Sequence, residues 1–219
     1  MPTSFSGSPK LLRGGLVVLD PGSGAVRRVI ALQYNPDSLN RSLQIQGTGE
    51  GGERSEALRL KGPAVETFKL EAEIDAADQL EFPEQHANTV AFGIAPQLAA
   101  LESLINPPSG DLLFGNVLAA IGTIEIAPAE APLTLFVWSK QRIVPVRLTE
   151  FSINEEAFDP ALNPLRAKVS LGLRVLSVND VGFNHRAGTL FMGHLQNKER
   201  LAGKATGAAL AALGLGGIP

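Results

Sequence analysis

The sequence predicts a mainly β protein, a β-sandwich or barrel with one flanking helix and a C-terminal helical arm. Three observations point there. Leu165, Ala167, Val169, Leu171, Leu173 and Val175 alternate with Arg166, Lys168, Ser170 and Arg174, the mark of a strand with one face on a core and the other on solvent or a partner. Glu66–Asp75 alternates in the same way, with Phe68, Leu70, Ala72 and Ile74 inward and Lys69, Glu71, Glu73 and Asp75 outward. Strong helical periodicity is confined to one place before residue 178: Ile94, Leu98, Leu101 and Ile105 lie at i, i+4, i+7 and i+11, on one stripe.

In chain order, Leu16–Asp20 and Val26–Asn35 flank Pro21-Gly22-Ser23-Gly24 and read as a hairpin with a four-residue turn. Leu39–Gln46 is a third strand candidate, and the polar, glycine-rich Gly47–Lys61 reads as a loop. Pro83–Ala91 suits a helical turn ahead of the helix. Pro96 fits that helix's first turn, where its missing N–H costs nothing, and Asn106-Pro107-Pro108 stops it. Ser109–Pro132 is loop-like, with a short apolar piece at Leu118–Ile126. Leu133–Trp138 is apolar on both faces, as a central strand is. Along Val144–Ile153 the inward set shifts from Val144, Val146 and Leu148 to Phe151 and Ile153, which predicts a bulge near Thr149–Glu150. Turn formers from Phe158-Asp159-Pro160 to Asn163-Pro164 join this strand to the next. About seven strands result, in a β domain over residues 12–178, with 179–219 as the arm. Within the arm, His185–Leu201 reads as a helix with Leu190, His194 and Leu201 on one side, followed by an Ala/Leu/Gly tail.

Composition excludes several function classes. At 219 residues the chain is long enough for one substantial core. Nineteen basic against 22 acidic side chains give a formal charge of −3, which argues against nucleic acid or an anionic membrane surface as the main partner. The absence of cysteine removes disulfides, thiolate metal sites and cysteine nucleophiles together. Residues 1–10 lack a long apolar core, and no run of 18 apolar residues occurs, so neither a secretory signal nor a membrane span is expected.

The motifs that suggest chemistry fail on context. Gly47-Thr48-Gly49-Glu50-Gly51-Gly52 satisfies G-x-G-x-x-G, but the strand before it is polar and Glu53-Arg54-Ser55-Glu56 follows where an amphipathic helix should begin. His86, His185 and His194 form no close ligand pair and read as surface histidines. Glu71, Glu73 and Asp75, beside Lys69, read as a solvated or inter-subunit face. No serine sits in G-x-S-x-G. The expectation is therefore a protein that is not an enzyme and uses no cofactor or metal. Trp138, Tyr34 and Phe158 read as core anchors.

Five separated stretches then resemble one family. They are Leu32–Ser42, Gly62-Pro63 leading into Glu66–Asp75, Gly93–Pro108, Pro132–Ser139 around Trp138, and Phe151–Leu176. Together, in order and spacing, they resemble the N-terminal domain of tube and baseplate proteins of contractile, phage-tail-like injection systems, over about residues 12–178. That resemblance implies a tube-like fold assembled six to a ring, as a baseplate or tube-initiator layer joining the spike–hub complex to the inner tube. It implies a homo-hexamer whose partners are the spike or hub, the inner-tube protein and other baseplate subunits, built in the cytoplasm as part of a large particle that can be released. The motif positions are Tyr34, Asn35, Pro36, Trp138, Asp159, Pro164 and Arg166, for which structural roles are expected. Relatives of this type often carry a C-terminal LysM module, from which Val178–Pro219 departs in length and composition. An ordinary inner-tube subunit and a stand-alone β-sandwich binding cell-wall polysaccharide are the alternatives.

Overall fold

The computed structural model describes residues 12–20, 22–47, 59–113, 131–205, 207–208, 210–214 and 216–218. Seven strands carry the fold: β1 (Gly15–Leu19), β2 (Val26–Ala31), β3 (Asn40–Gln44), β4 (Val65–Asp75), β5 (Leu133–Ser139), β6 (Arg142–Phe158) and β7 (Pro164–Val175). They form one sheet in the order β2-β1-β5-β6-β7-β4-β3, and every neighbouring pair is antiparallel. The mainly β expectation holds.

The sheet is rolled. β4 and β5 stand three strand positions apart, about 14 Å if the sheet were flat, yet the rings of Phe68 and Phe136 meet at 5.2 Å between centroids. The Arg142 guanidinium, from the first residue of β6, sits 5.5 Å over the Phe68 ring. The alternating residues read from sequence fill the space this rolling encloses. Phe68, Leu70, Ala72, Val169, Leu171 and Leu173 are buried with Phe136, Val144 and Val146. The predicted bulge is present, as the β6–β7 register shifts between Leu148 and Glu150.

Short helices cap the roll: α1 (Ala77–Leu80), α2 (Ala87–Phe92) and α3 (Ala95–Glu102), with a 3-10 turn at Pro83–Gln85. Ile94, Leu98 and Leu101 enter the core as the stripe predicts, but Ile105 does not. The chain leaves the helix after Glu102, and Asn106 Nδ2 donates back to the Glu102 carbonyl at 3.1 Å. The predicted single helix is thus the longest member of a capping group.

After β7 come α4 (Val178–Val181), opened by a Ser177–Asp180 capping box, and α5 (Arg186–Ala202). α5 explains why β5 is apolar on both faces. Phe136 and Trp138 face the enclosed core, while Leu133 and Leu135 pack with Ala187 and Leu190 of α5 outside it. The buried stripe of α5 is Ala187, Phe191 and His194, and Leu201, expected on that side, is 43 % exposed. The glycine-rich motif beyond Gly47 and the Leu118–Ile126 piece lie outside the described residues.

Candidate assembly surface

The strand predicted from Val26 to Asn35 stops at Ala31, and the next five residues close the roll. Leu32 is buried. Gln33 Nε2 donates to the Asp75 carbonyl at 2.8 Å, while Gln33 Oε1 accepts the Asp75 N–H at 3.0 Å. The side-chain amide thereby pairs with the last residue of β4 as another strand would, satisfying both backbone groups. Tyr34 donates its hydroxyl to Asp78 at 3.2 Å, and Asn35 accepts from Gly14 N–H at 2.8 Å while donating to the Leu12 carbonyl at 2.7 Å. Burial raises the Tyr34 pKa, and Asp78 beside it adds to the rise. Pro36 is half-buried directly after them. Gly14 is needed beneath Trp138, because a Cβ there would lie 2.7 Å from the indole.

The hairpin between β6 and β7 is built around Asp159. Its Oδ1 accepts the N–H groups of Ala161 and Asn163, each at 2.8 Å, and its Oδ2 accepts the Asn163 side-chain amide at 2.8 Å. These bonds, those from Asn163 first, hold the carboxyl below its usual range. Pro164 is buried, and its carbonyl accepts Ile94 N–H at 2.8 Å, fastening α3 to the hairpin. Asn163 also donates to the Ala91 carbonyl at 3.3 Å. Arg166 Nε pairs with Asp75 Oδ2 at 2.7 Å. Burial pushes Asp75 up, but the Ala77 amide and Arg166 outweigh it and hold the carboxyl down. Tyr34 and Arg166 thus reach the Asp75 end of β4, and Pro164 and Asp159 lie on the hairpin that follows Arg166's partner strand. Asn35 is instead bonded to Gly14 beneath Trp138, which packs against Phe136 at 5.8 Å between ring centroids. Tyr34 and Phe158 are 44 % and 50 % exposed, so of the three expected core aromatics only Trp138 packs against the core.

The outward face of β4, β7 and β6 is a ladder of polar side chains in register. Glu73 stands opposite Lys168 and Asn154, Glu71 opposite Ser170 and Ser152, and Asp75 opposite Arg166 and Glu156. Lys69 and Glu150 both register with Gly172 and form an ion pair of 2.6 Å across it. A Cβ at Gly172 would lie 2.7 Å from Glu150 Cβ, so the glycine makes room for the crossing. A shallow open depression of about 290 Å³ lies beside this pair. Among the described residues, no group of three or more His, Asp and Glu side chains is placed to hold a metal ion.

One feature of β4 was missed in the sequence. Glu66 has the parity of Phe68 and points inward, where it is 3 % exposed. Arg41 of β3 pairs with its Oε1, and Lys198 of α5 reaches its Oε2 at 2.6 Å. His194 Nε2 lies 3.9 Å from the same oxygen. Burial pushes Glu66 up, but His194, Lys198 and Arg41 together outweigh it and hold its carboxyl at about 2. His194, read as a surface histidine, is buried instead, because Glu66 draws that face of α5 onto the sheet. Extending the inward parity of β4 by one residue is the signal that would have found Glu66.

No family model matches the chain, and no curated protein matches it. Among solved structures it is similar to a chain from the tail of an empty GTA particle determined by helical refinement with C6 symmetry. The identity is 14 % and the TM-score 0.29, over 74 % of this chain and 90 % of that one. Among the described residues, no helix is long and apolar enough to cross a membrane.

Proposed function

We propose that the chain is a ring-forming structural subunit of the inner tube and baseplate of a contractile, phage-tail-like injection system. The observation that carries the reading is the pair of free sheet edges. β2 and β3 are exposed, and among the described residues neither has a strand on its outer side. Val26 and Val29 are exposed on one, and Leu43 on the other, beside exposed Ile45. Exposed edges invite pairing with another chain, and two different edges on one subunit suit a heterologous, head-to-tail joint that closes into a ring. The motif stretches support the same reading, since their polar residues act as latches and turns and converge on no open site. If the charged ladder of β4, β7 and β6 faces a lumen, its alternating charges set what passes or adheres.

The first position we assign is the initiating layer between spike–hub and tube. An ordinary tube ring is the second reading. Quantifying the tagged chain in sedimented particles tests both. About six copies beside far more abundant tube and sheath proteins support the initiating layer, and copies equal in number to the tube support the second. Absence from any large particle overturns the proposal and favours a stand-alone polysaccharide-binding module, which saturable binding to isolated cell wall would then establish.

A further inference from the structure

Where α2 meets the β6–β7 hairpin, five large apolar side chains face outward. Phe82, Val90, Phe92, Phe158 and Leu162 are 45 to 78 % exposed, and the Asn163–Ala91 and Pro164–Ile94 hydrogen bonds hold their segments together. Single exposed apolar residues need no partner, but a cluster of this kind marks a contact surface. Leu162 is the most telling member. It stands at a φ of +65°, a left-handed conformation that glycine or asparagine adopts with less strain. A leucine so exposed gains nothing from burial within the chain, so the strain is offset by a contact made outside it.

The surroundings are acidic. Residues 75–92 and 154–163 contain seven carboxylates and no lysine or arginine, and Glu73 on β4 and Glu102 at the end of α3 add to them. The cations on the adjoining elements are fewer and placed against partners. Arg166 pairs with Asp75, Lys168 stands in register between Glu73 and Asn154, and Arg28 is bonded to Ser103 at 2.9 Å, beyond the last turn of α3. Glu81, Glu84 and Glu155 are exposed and have no cationic partner among the described residues. The hairpin tip offers no free strand edge, because the N–H groups of Asp159, Ala161, Leu162 and Asn163 are all bonded within the turn. An occupant is therefore gripped by its side chains, as an amphipathic helix laid on an apolar surface is.

We infer that this surface docks a cationic amphipathic helix of a different protein. Its apolar stripe covers Phe82, Val90, Phe92, Phe158 and Leu162, and its lysines or arginines face Glu81, Glu84 and Glu155. The acidic rim decides the sign of the partner, steering a cationic segment in and repelling an acidic one, while the apolar groups supply the burial. A second copy of this chain is the poorer occupant. The chain carries a formal charge of −3, and its longest described helix, α5, already buries Ala187 and Phe191 of its apolar stripe on its own sheet. The surface is built from other residues than the β2 and β3 edges, so the inference goes beyond the ring reading and does not rest on it.

The test titrates the purified full-length chain into a fluorescein-labelled synthetic helix of about 18 residues, leucine on one face and lysine on the other, and reads anisotropy. Saturable binding is expected at about 50 mM NaCl, weakening about tenfold at about 500 mM as the charges are screened. Leu162→Asn, which suits the left-handed φ, and Phe92→Ser each weaken binding about tenfold. E81Q, E84Q and E155Q together remove most of the salt dependence. All five side chains are exposed, so the variants keep the wild-type urea midpoint. Should Phe92→Ser fall short of it, Leu162→Asn alone decides. Leu43→Asn, on the β3 edge, leaves binding unchanged and so separates this surface from the ring joint. The inference is overturned by a wild type that does not bind at low salt, by binding that ignores Leu162→Asn, and by binding that falls equally with Leu43→Asn. Equal binding of the same helix with glutamate in place of lysine also overturns it. So does wild-type self-association that Leu162→Asn abolishes, which would make the surface a joint between copies.

Discussion

Replacing Glu66 by glutamine removes a buried anion that ties β3, β4 and α5 together. The magnitude follows from its pKa. Held at about 2 in the fold against 4.5 in the unfolded chain, and at 1.36 kcal/mol per pH unit, the carboxylate contributes ~3 kcal/mol. A depressed carboxylate stabilises above its unfolded pKa, so the contribution is complete at pH 7. It fades as the pH falls from about 4.5 towards 2. Urea unfolding of wild type and E66Q at steps between pH 7 and pH 2.5 measures it. The expected result is a difference of about 3 kcal/mol at pH 7 that shrinks steadily on acidification. Other carboxylates with lowered pKa, such as Asp75 and Asp159, destabilise both proteins alike in acid, and the difference between the curves cancels them. A gap below about 0.5 kcal/mol at pH 7, or one that stays constant down to pH 3, would refute the clamp, since a solvated surface charge behaves in that way.

Three further outcomes are expected. Gln33→Ala strips both hydrogen bonds from the Asp75 backbone and costs about 2 kcal/mol in urea unfolding, and a loss under about 0.5 kcal/mol would mean that water replaces the amide. Gly93→Ala puts a Cβ 2.1 Å from the Pro164 carbonyl oxygen at a φ of +57°, so it costs about 3 kcal/mol or more. A Gly93→Ala protein of wild-type stability would show that α2 and α3 do not depend on that close approach. Gly14→Ala drives a methyl into the Trp138 ring and lowers stability by 1–3 kcal/mol, which a blue-shifted or quenched tryptophan fluorescence would accompany.

Much of the fold was legible because period-two alternation is a local signal that survives packing. β7, β4 and the bulge at Leu148–Glu150 followed from the order of apolar side chains alone. What could not be read there were contacts between residues far apart in sequence. Gln33 looks like one more strand residue until Asp75, 42 positions later, supplies the backbone that it pairs with. His194 looks like a surface histidine until Glu66 is seen 128 positions earlier in the chain. Tyr34 and Phe158 mislead for the converse reason: large aromatics are assigned inward by habit, yet here one caps a latch and the other sits on a hairpin tip. The candidate assembly surface was half legible, since the outward carboxylates of β4 were visible in the pattern while their partners on β6 and β7 required the register.

Seven is an odd number, and the sheet alternates direction at every step. Its first and last strands, β2 and β3, therefore point the same way. A neighbour that keeps the orientation of the subunit it joins must present β2 to β3 as a parallel pair, with evenly spaced, slanted hydrogen bonds. An antiparallel joint arises instead when β2 meets β2, or β3 meets β3, across a two-fold axis. The backbone geometry at the joint thus distinguishes a cyclic assembly from a closed dimer before any subunit is counted. A peptide that mimics β2 in such a joint likewise runs parallel to β3.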